Sequence, residues 1–243
     1  MKTKIIFLLF MISSIVAFGQ NQKQIMLQEI KCTPPKFTGI EKAIPIIVEQ
    51  KYQTIEDFLA NNVAYPEEDQ AYLIQGTEVV RFVVTPAGDV TNIKIVNSVS
   101  RQIDEEVTNA LKSTKGMWKP GYNDDKPFAM EKEISLVFKI EGWNTADFNS
   151  LGMKYYKKGS AALFAKESPK KALRCFDKGV ILLPNDKALL VLRGLARYEV
   201  GNKDGALDDW TRVKNLGGIE TDEYLKNFGD LKGYALMTSI LVK

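Results

Sequence analysis

From Gly76 the chain alternates with a period of two. Val80, Phe82 and Val84 interleave with Val79, Arg81 and Val83, which predicts a half-buried strand. Thr85-Pro86-Ala87-Gly88-Asp89 supplies hairpin-turn chemistry, and Val90 to Asn97 reads as the return strand. Ile103, Val107, Ala110 and Leu111 then recur at helical spacing, with Asp104, Glu105 and Glu106 at the positive N-terminal end of the helix dipole. Trp118-Lys119-Pro120-Gly121 breaks that helix. A last strand alternates Ile134, Leu136, Phe138 and Ile140 against Glu133, Ser135, Val137 and Lys139. Upstream, Thr54 reads as a helix cap with Asp57 three residues on, and Ile55, Phe58 and Leu59 share a face. Tyr65-Pro66 turns the chain into a second short helix, Glu67 to Leu73. The expectation for residues 54–142 is an α+β domain, a three-stranded antiparallel sheet with helices on one face.

From Trp143 the pattern is helical only. Ala172, Phe176 and Gly179 recur as Ala206, Trp210 and Val213, an offset of 34 residues. A small residue lets paired helices approach, and the aromatic is expected to fill the space between neighbouring hairpins. Gly201 falls at a turn between helices, where a positive φ is expected. Residues 143–243 therefore read as an all-α module of helical hairpins, about 146–184 and 187–218, with a capping helix over 221–243. Tyr224, Leu225 and Phe228, then Leu231, Tyr234, Ala235 and Leu236, would form its apolar face.

The first 53 residues differ from both modules. Lys2 and Lys4 precede an apolar run, Ile5 to Phe18, that ends in Ala17-Phe18-Gly19. This is the outline of a cleavable signal peptide, residues 1–19, and it predicts export to the periplasm. The run is short for a spanning helix of about 20 residues. An uncleaved inner-membrane anchor is the alternative. Residues 20–53 form a lead in which Pro34-Pro35 argues for an extended start. Its apolar patch, Ile44 to Val48, suits only an edge strand because of Pro45.

Composition narrows the chemistry. The chain of 243 residues contains no histidine, so Ser–His and Cys–His nucleophile pairs are impossible. Only Cys32 and Cys175 could give thiolate ligands, so no metal and no cofactor is expected. Cys175 falls on a helical pattern beside Phe176 and is expected as a buried thiol, with a Cys32–Cys175 bridge between the modules, which export would permit, as the alternative. The net charge of +3 is too small for a nucleic-acid binder. The carboxylate pairs Glu67-Glu68, Glu105-Glu106 and Asp208-Asp209 are adjacent in sequence, and neighbours on a helix do not face one another. An enzyme is not the expectation.

The segment 54–140 resembles the C-terminal domain of TonB in the form common in Bacteroidetes-type periplasmic proteins. The matching residues are Phe58-Leu59-Ala60-Asn61-Asn62, Tyr65-Pro66-Glu67-Glu68, Gln75-Gly76, Phe82-Val83-Val84, Gly88-Asp89-Val90, Ser98, Asp104, Ala110, Trp118-Lys119-Pro120-Gly121, Lys126-Pro127 and Phe138. The resemblance implies that an extended segment of an outer-membrane transporter, or of another envelope protein, adds as a strand along an exposed sheet edge. The implied edge is Lys132 to Ile140, with Lys132, Ile134, Leu136, Phe138 and Ile140 as its partner-facing residues. The alternative is an edge already covered by Ile44 to Val48 or by the helical module.

A TonB energy transducer would also need a membrane anchor and a long Pro-rich spacer, at about 3.1 Å per extended residue. Only about thirty residues with few prolines separate the apolar run from the domain here. The reading is therefore a periplasmic binding module, with a membrane-anchored transducer as alternative.

The segment from Phe148 to about Gly218 resembles tetratricopeptide repeats, the first with an enlarged turn between Tyr155 and Ala172. Their peptide-binding concave face would fall on Asn149, Met153 and Tyr156, then Val191, Leu195 and Tyr198, with the apolar members open to being covered by packing. Lys154, Lys157, Lys158, Lys166, Lys170, Lys171 and Arg174 read as a solvated helix face, or as a site for an acidic partner.

Overall fold

The computed structural model describes residues 31–39, 52–140, 147–218 and 221–226. The expected signal peptide, the Ile44 to Val48 patch and most of the expected capping helix lie outside the described residues.

The first module is built on β3 (Gly76–Val84), flanked by β4 (Val90–Asn97) and β8 (Met130–Phe138) in the order β4-β3-β8, all antiparallel. The β3–β8 register is unbroken from Gly76 opposite Phe138 to Val84 opposite Met130. The β3–β4 ladder slips twice, and Asn92 in β4 takes a φ of 51°. Gly88 turns the hairpin at φ 83°. One sheet face carries Val80, Phe82, Val84, Ile134 and Phe138, which pack under α1 (Ile55–Asn62) and α3 (Arg101–Ser113). Thr54 caps α1 by accepting from the Asp57 N–H at 3.0 Å. Ser100 caps α3 by accepting from the Ile103 N–H at 3.1 Å. The short α2 (Glu67–Ala71) lies between α1 and β3.

Two features depart from the sequence reading. Trp118-Lys119-Pro120-Gly121 does more than break a helix. Its first half is β5 (Trp118–Lys119), which pairs with β2 (Lys36–Phe37) from the lead. Similarly β6 (Gly121–Asn123) pairs with β1 (Cys32–Thr33) and with β7 (Lys126–Phe128). Phe37 thereby enters the core against Trp118 and Phe58, and the Trp118 indole donates to Thr114 Oγ1 at 3.0 Å. The final strand spans Met130–Phe138 rather than Lys132 to Ile140, because the Ile140 N–H donates instead to the Gln75 side chain at 3.0 Å. Cys32 and Cys175 are both free, which removes the bridge; Cys32 is exposed and Cys175 half-buried.

The second module consists of α4 (Phe148–Ser160), α5 (Pro169–Leu182), α6 (Lys187–Glu199), α7 (Lys203–Asn215) and the short α8 (Asp222–Lys226). The residues expected to enlarge a turn instead lengthen the first helix. A π-turn over Ala161–Ala165 continues α4, burying Ala162 and Leu163. Gly201 turns α6 into α7 at φ 88°. The 34-residue offset is spatially meaningful, since Ala172, Phe176, Ala206, Trp210 and Val213 share one core.

The aromatics, however, work within a hairpin rather than between hairpins. The Phe176 ring of α5 lies against Gly159 of α4, and the Trp210 ring of α7 lies against Gly194 of α6. A Cβ at either glycine would run into the ring. Trp210 is further fixed by its N–H donating to the Val191 carbonyl at 3.2 Å. Gly194→Ala should therefore cost about 1–3 kcal/mol through overpacking. The loss would appear as a lower urea midpoint with an unchanged slope.

Candidate partner-binding edge

Sheet order decides which backbone is available. Both β4 and β8 are edge strands, and among the described residues neither has a second strand partner. Side chains on β8 alternate between faces. Met130, Lys132, Ile134, Leu136 and Phe138 pair across to Val84, Phe82, Val80, Glu78 and Gly76 on the α1/α3 face. Ile134 and Phe138 are only 5% and 8% exposed, and Leu136 packs against the same core. Four of the five residues expected to meet a partner thus share the face turned towards the protein's own helices, and Ile140 lies past the strand end.

The opposite face of β8 carries Glu131, Glu133, Ser135 and Val137. Val137 is 64% exposed. Glu131, Ser135 and Val137 are the side chains of β8 that stand open, and none of them was among the residues expected from sequence. The two-residue period could have shown this, because the strand's most apolar parity is the one a core takes first.

That opposite face also meets the helical module. Glu133 of β8 accepts a two-pronged bond from Arg212 of α7, at 2.8 and 3.0 Å, and two more from Arg81 of β3 at 2.9 and 3.2 Å. Arg212 also donates to Asn185 Oδ1 at 2.5 Å. Thr77 of β3 donates to the Leu182 carbonyl of α5 at 2.9 Å. The bonds from Arg212, then those from Arg81, hold the Glu133 carboxyl below the ordinary carboxylate range against the opposing effect of burial.

Beside this contact lies a cavity of about 570 Å³ lined by Arg81, Lys94, Asn97, Arg193, Arg197 and Asp209, among others. Asp209 accepts from Arg193 at 2.6 Å and pairs with Arg197 at 3.0 Å. Burial pushes the Asp209 and Asp177 carboxyls up, and the two arginines oppose it. Arg193, Arg197, Asp177 and Asp209, which line the site, are held in ion pairs. The adjacent carboxylates weighed from sequence are likewise separated: Glu68 accepts from Gln102, Glu105 from Arg101, and Asp209 from Arg193.

Residues 61–140 match the family described as the Gram-negative bacterial TonB protein C-terminal. The matched stretch is about a third of the chain and runs from the end of α1 to just beyond β8. It supports a TonB-like role in envelope protein interactions for the matched segment. Among solved structures, the chain is similar to the TonB C-terminal domain of Helicobacter pylori, determined in solution by NMR. Identity is 22% over 36% of this chain and 90% of that one, with a TM-score of 0.30. Among curated proteins no match was found.

The second set of expected binding residues divides. Asn149 and Met153 are exposed on α4, and Tyr156 is half-buried against the helical core. Val191 and Leu195 of α6 are buried, which corrects their assignment to a binding face. Tyr198 stacks on Trp210 with centroids 6.0 Å apart. Six lysines and Arg174 of the basic stretch are solvent-exposed, as a solvated face would be. Among the described residues no helix is long and apolar enough to cross a membrane, and no cluster of metal-ligating groups occurs.

Glu133→Gln should reduce stability by about 1–3 kcal/mol near pH 6, because the ion pairs are lost and one carboxylate oxygen becomes an amide NH2 that cannot accept from the arginines. Glu133 has a lowered folded pKa, so its contribution is present above the unfolded value of 4.5 and disappears as pH falls through the folded one. Urea midpoints of the two proteins should therefore converge below pH 4.5.

Proposed function

We propose that this chain is an exported, periplasmic, non-catalytic interaction protein whose β8 edge receives an extended segment of an envelope partner by strand addition. The observation that carries the reading is the position of β8. It closes the segment matched to the TonB C-terminal family and has no strand on its outer side among the described residues. Unpaired N–H and C=O groups on such an edge supply affinity, and side chains beside it supply selectivity. Ser135 and Val137 occupy that selective position, with Ile134, Leu136 and Phe138 holding the strand to its core. An outer-membrane transporter is the partner class the family points to.

The helical module, read as two tetratricopeptide-like hairpins, scaffolds the sheet from its other face. A second partner would meet it on α4, where Asn149, Met153 and four neighbouring polar or basic side chains form an open depression. Two hairpins are fewer than the three or so repeats that usually stand alone. Support from the sheet fits that shortfall.

Proline scanning tests the edge. Consecutive residues of a strand direct their N–H groups to opposite sides. Of Leu136→Pro and Val137→Pro, one removes a ladder bond to β3 and the other removes a donor from the open edge. The variant that retains the parental melting temperature should lose photocrosslinking, from a probe at Ser135, to an extended segment of an outer-membrane protein. Undiminished crosslinking in that variant would refute strand addition.

A further inference from the structure

Glu78 is the one residue of β3 whose chemistry neither the core nor the edge explains. It is a carboxylate on the α1/α3 side of the sheet, opposite Leu136, and it is fully buried. Its Oε2 accepts from the Val99 N–H at 2.9 Å. Its Oε1 is buried without a hydrogen-bond partner, and so is Oδ1 of Asp104 in the first turn of α3. The two carboxyls are within hydrogen-bonding reach of each other. The other Asp104 oxygen accepts from Ser98 Oγ at 3.0 Å.

Two buried acceptors in contact need a hydrogen between them. No cation supplies it. Among the described residues neither carboxylate takes part in an ion pair. Several charged groups on the surrounding elements are engaged elsewhere. Asp69 of α2 accepts from Ser100 Oγ, and Arg101 of α3 pairs with Glu105. Arg81 and Glu133 occupy the far face of the sheet, and Lys178 of α5 lies over Tyr155. Asn97 of β4 is neutral and donates to the Thr77 carbonyl.

We propose that Glu78 and Asp104 share one proton and together form a pH-sensitive latch on the Ser98–Ser100 turn, coupling that turn to the docking of α5. Glu78 is the fully buried member of the pair, where an uncompensated charge costs most, so it carries the proton. Burial, then the contact with Asp104, push the Glu78 carboxyl up to about 8 in spite of the Val99 bond. Losing the proton leaves two like charges in contact in a buried site, and separating them moves the first turn of α3 away from β3. Val99 lies in the connecting turn. A Cβ on Gly76 would meet Ile181 Cγ2 at 2.7 Å and Val99 Cγ2 at 3.0 Å, so the turn, the start of β3 and the end of α5 meet at one point.

The sign of the effect is fixed. A carboxyl whose folded pKa is raised contributes stability that is complete below the unfolded value of 4.5 and is lost as pH rises to about 8. Urea unfolding of the full chain, Glu78→Gln and Asp104→Asn from pH 5 to 9.5 reads this directly. Asp177, Asp209 and Glu199 also have raised values, but they affect every variant alike.

The ratio of parental to Glu78→Gln unfolding constants should rise by up to about tenfold per pH unit and level off above pH 8. Asp104→Asn, which gives Glu78 a donor, should shrink that slope as well, so the test survives failure of one variant to fold. Parental hydrogen exchange at Val99 to Ile103 and at Ile181 to Leu183 should accelerate together over the same pH range. A pH-independent ratio would overturn the shared proton. Acceleration confined to Val99 to Ile103 would overturn the coupling to α5. Stabilisation of the parent at pH 9 by calcium alone, absent in Glu78→Gln, would overturn the latch in favour of a cation site.

Discussion

Glu133 stands between two arginines, and the relation of the two modules depends on that arrangement. Arg81 approaches it from within the sheet and Arg212 from α7 of the helical module. A carboxylate at such a junction loses water, and it is tolerated because its oxygens accept several charge-assisted bonds. The planar guanidinium of Arg212 also reaches Asn185 and the Pro184 carbonyl, which ties the turn between α5 and α6 into the same contact. With Thr77 bonded to the Leu182 carbonyl, the far face of the sheet becomes an interface.

This contact shapes what the edge can do. A three-stranded sheet has two edges and two faces. Here α1 and α3 take one face and the helical module engages the other. What stays open on β8 is its outer backbone together with Glu131, Ser135 and Val137. An edge held flat by support on both faces is stiff, and a stiff edge loses less conformational entropy when a strand joins it. The same support limits the hazard of an open edge, since access comes from one direction only.

The Ser98–Ser100 turn is where strand, helix and second module converge. Ser100 caps α3 and reaches Asp69 of α2, Val99 bonds Glu78 of β3, and Ser98 bonds Asp104. A turn tied to three elements transmits a local change in charge further than a loop tip would, because packed neighbours cannot deform independently.

The sequence by itself determined the local structure: the strand periods, the cap at Thr54, the hairpin at Gly88, and the 34-residue spacing of Ala172/Phe176 with Ala206/Trp210. These follow from chemistry acting over a few residues. It also carried the motifs of the matched family segment.

Tertiary structure decided the rest. The alternation on β8 was legible, but which parity faced the core depended on α1 and α3, and so Ile134 and Phe138 turned inward. The pairing of Lys36–Phe37 with Trp118–Lys119 joins residues about eighty positions apart that carry no mutual signal. Glu133 with Arg212, and Glu78 with Asp104, are likewise single polar residues separated in the chain, brought together only by the packing of their neighbours.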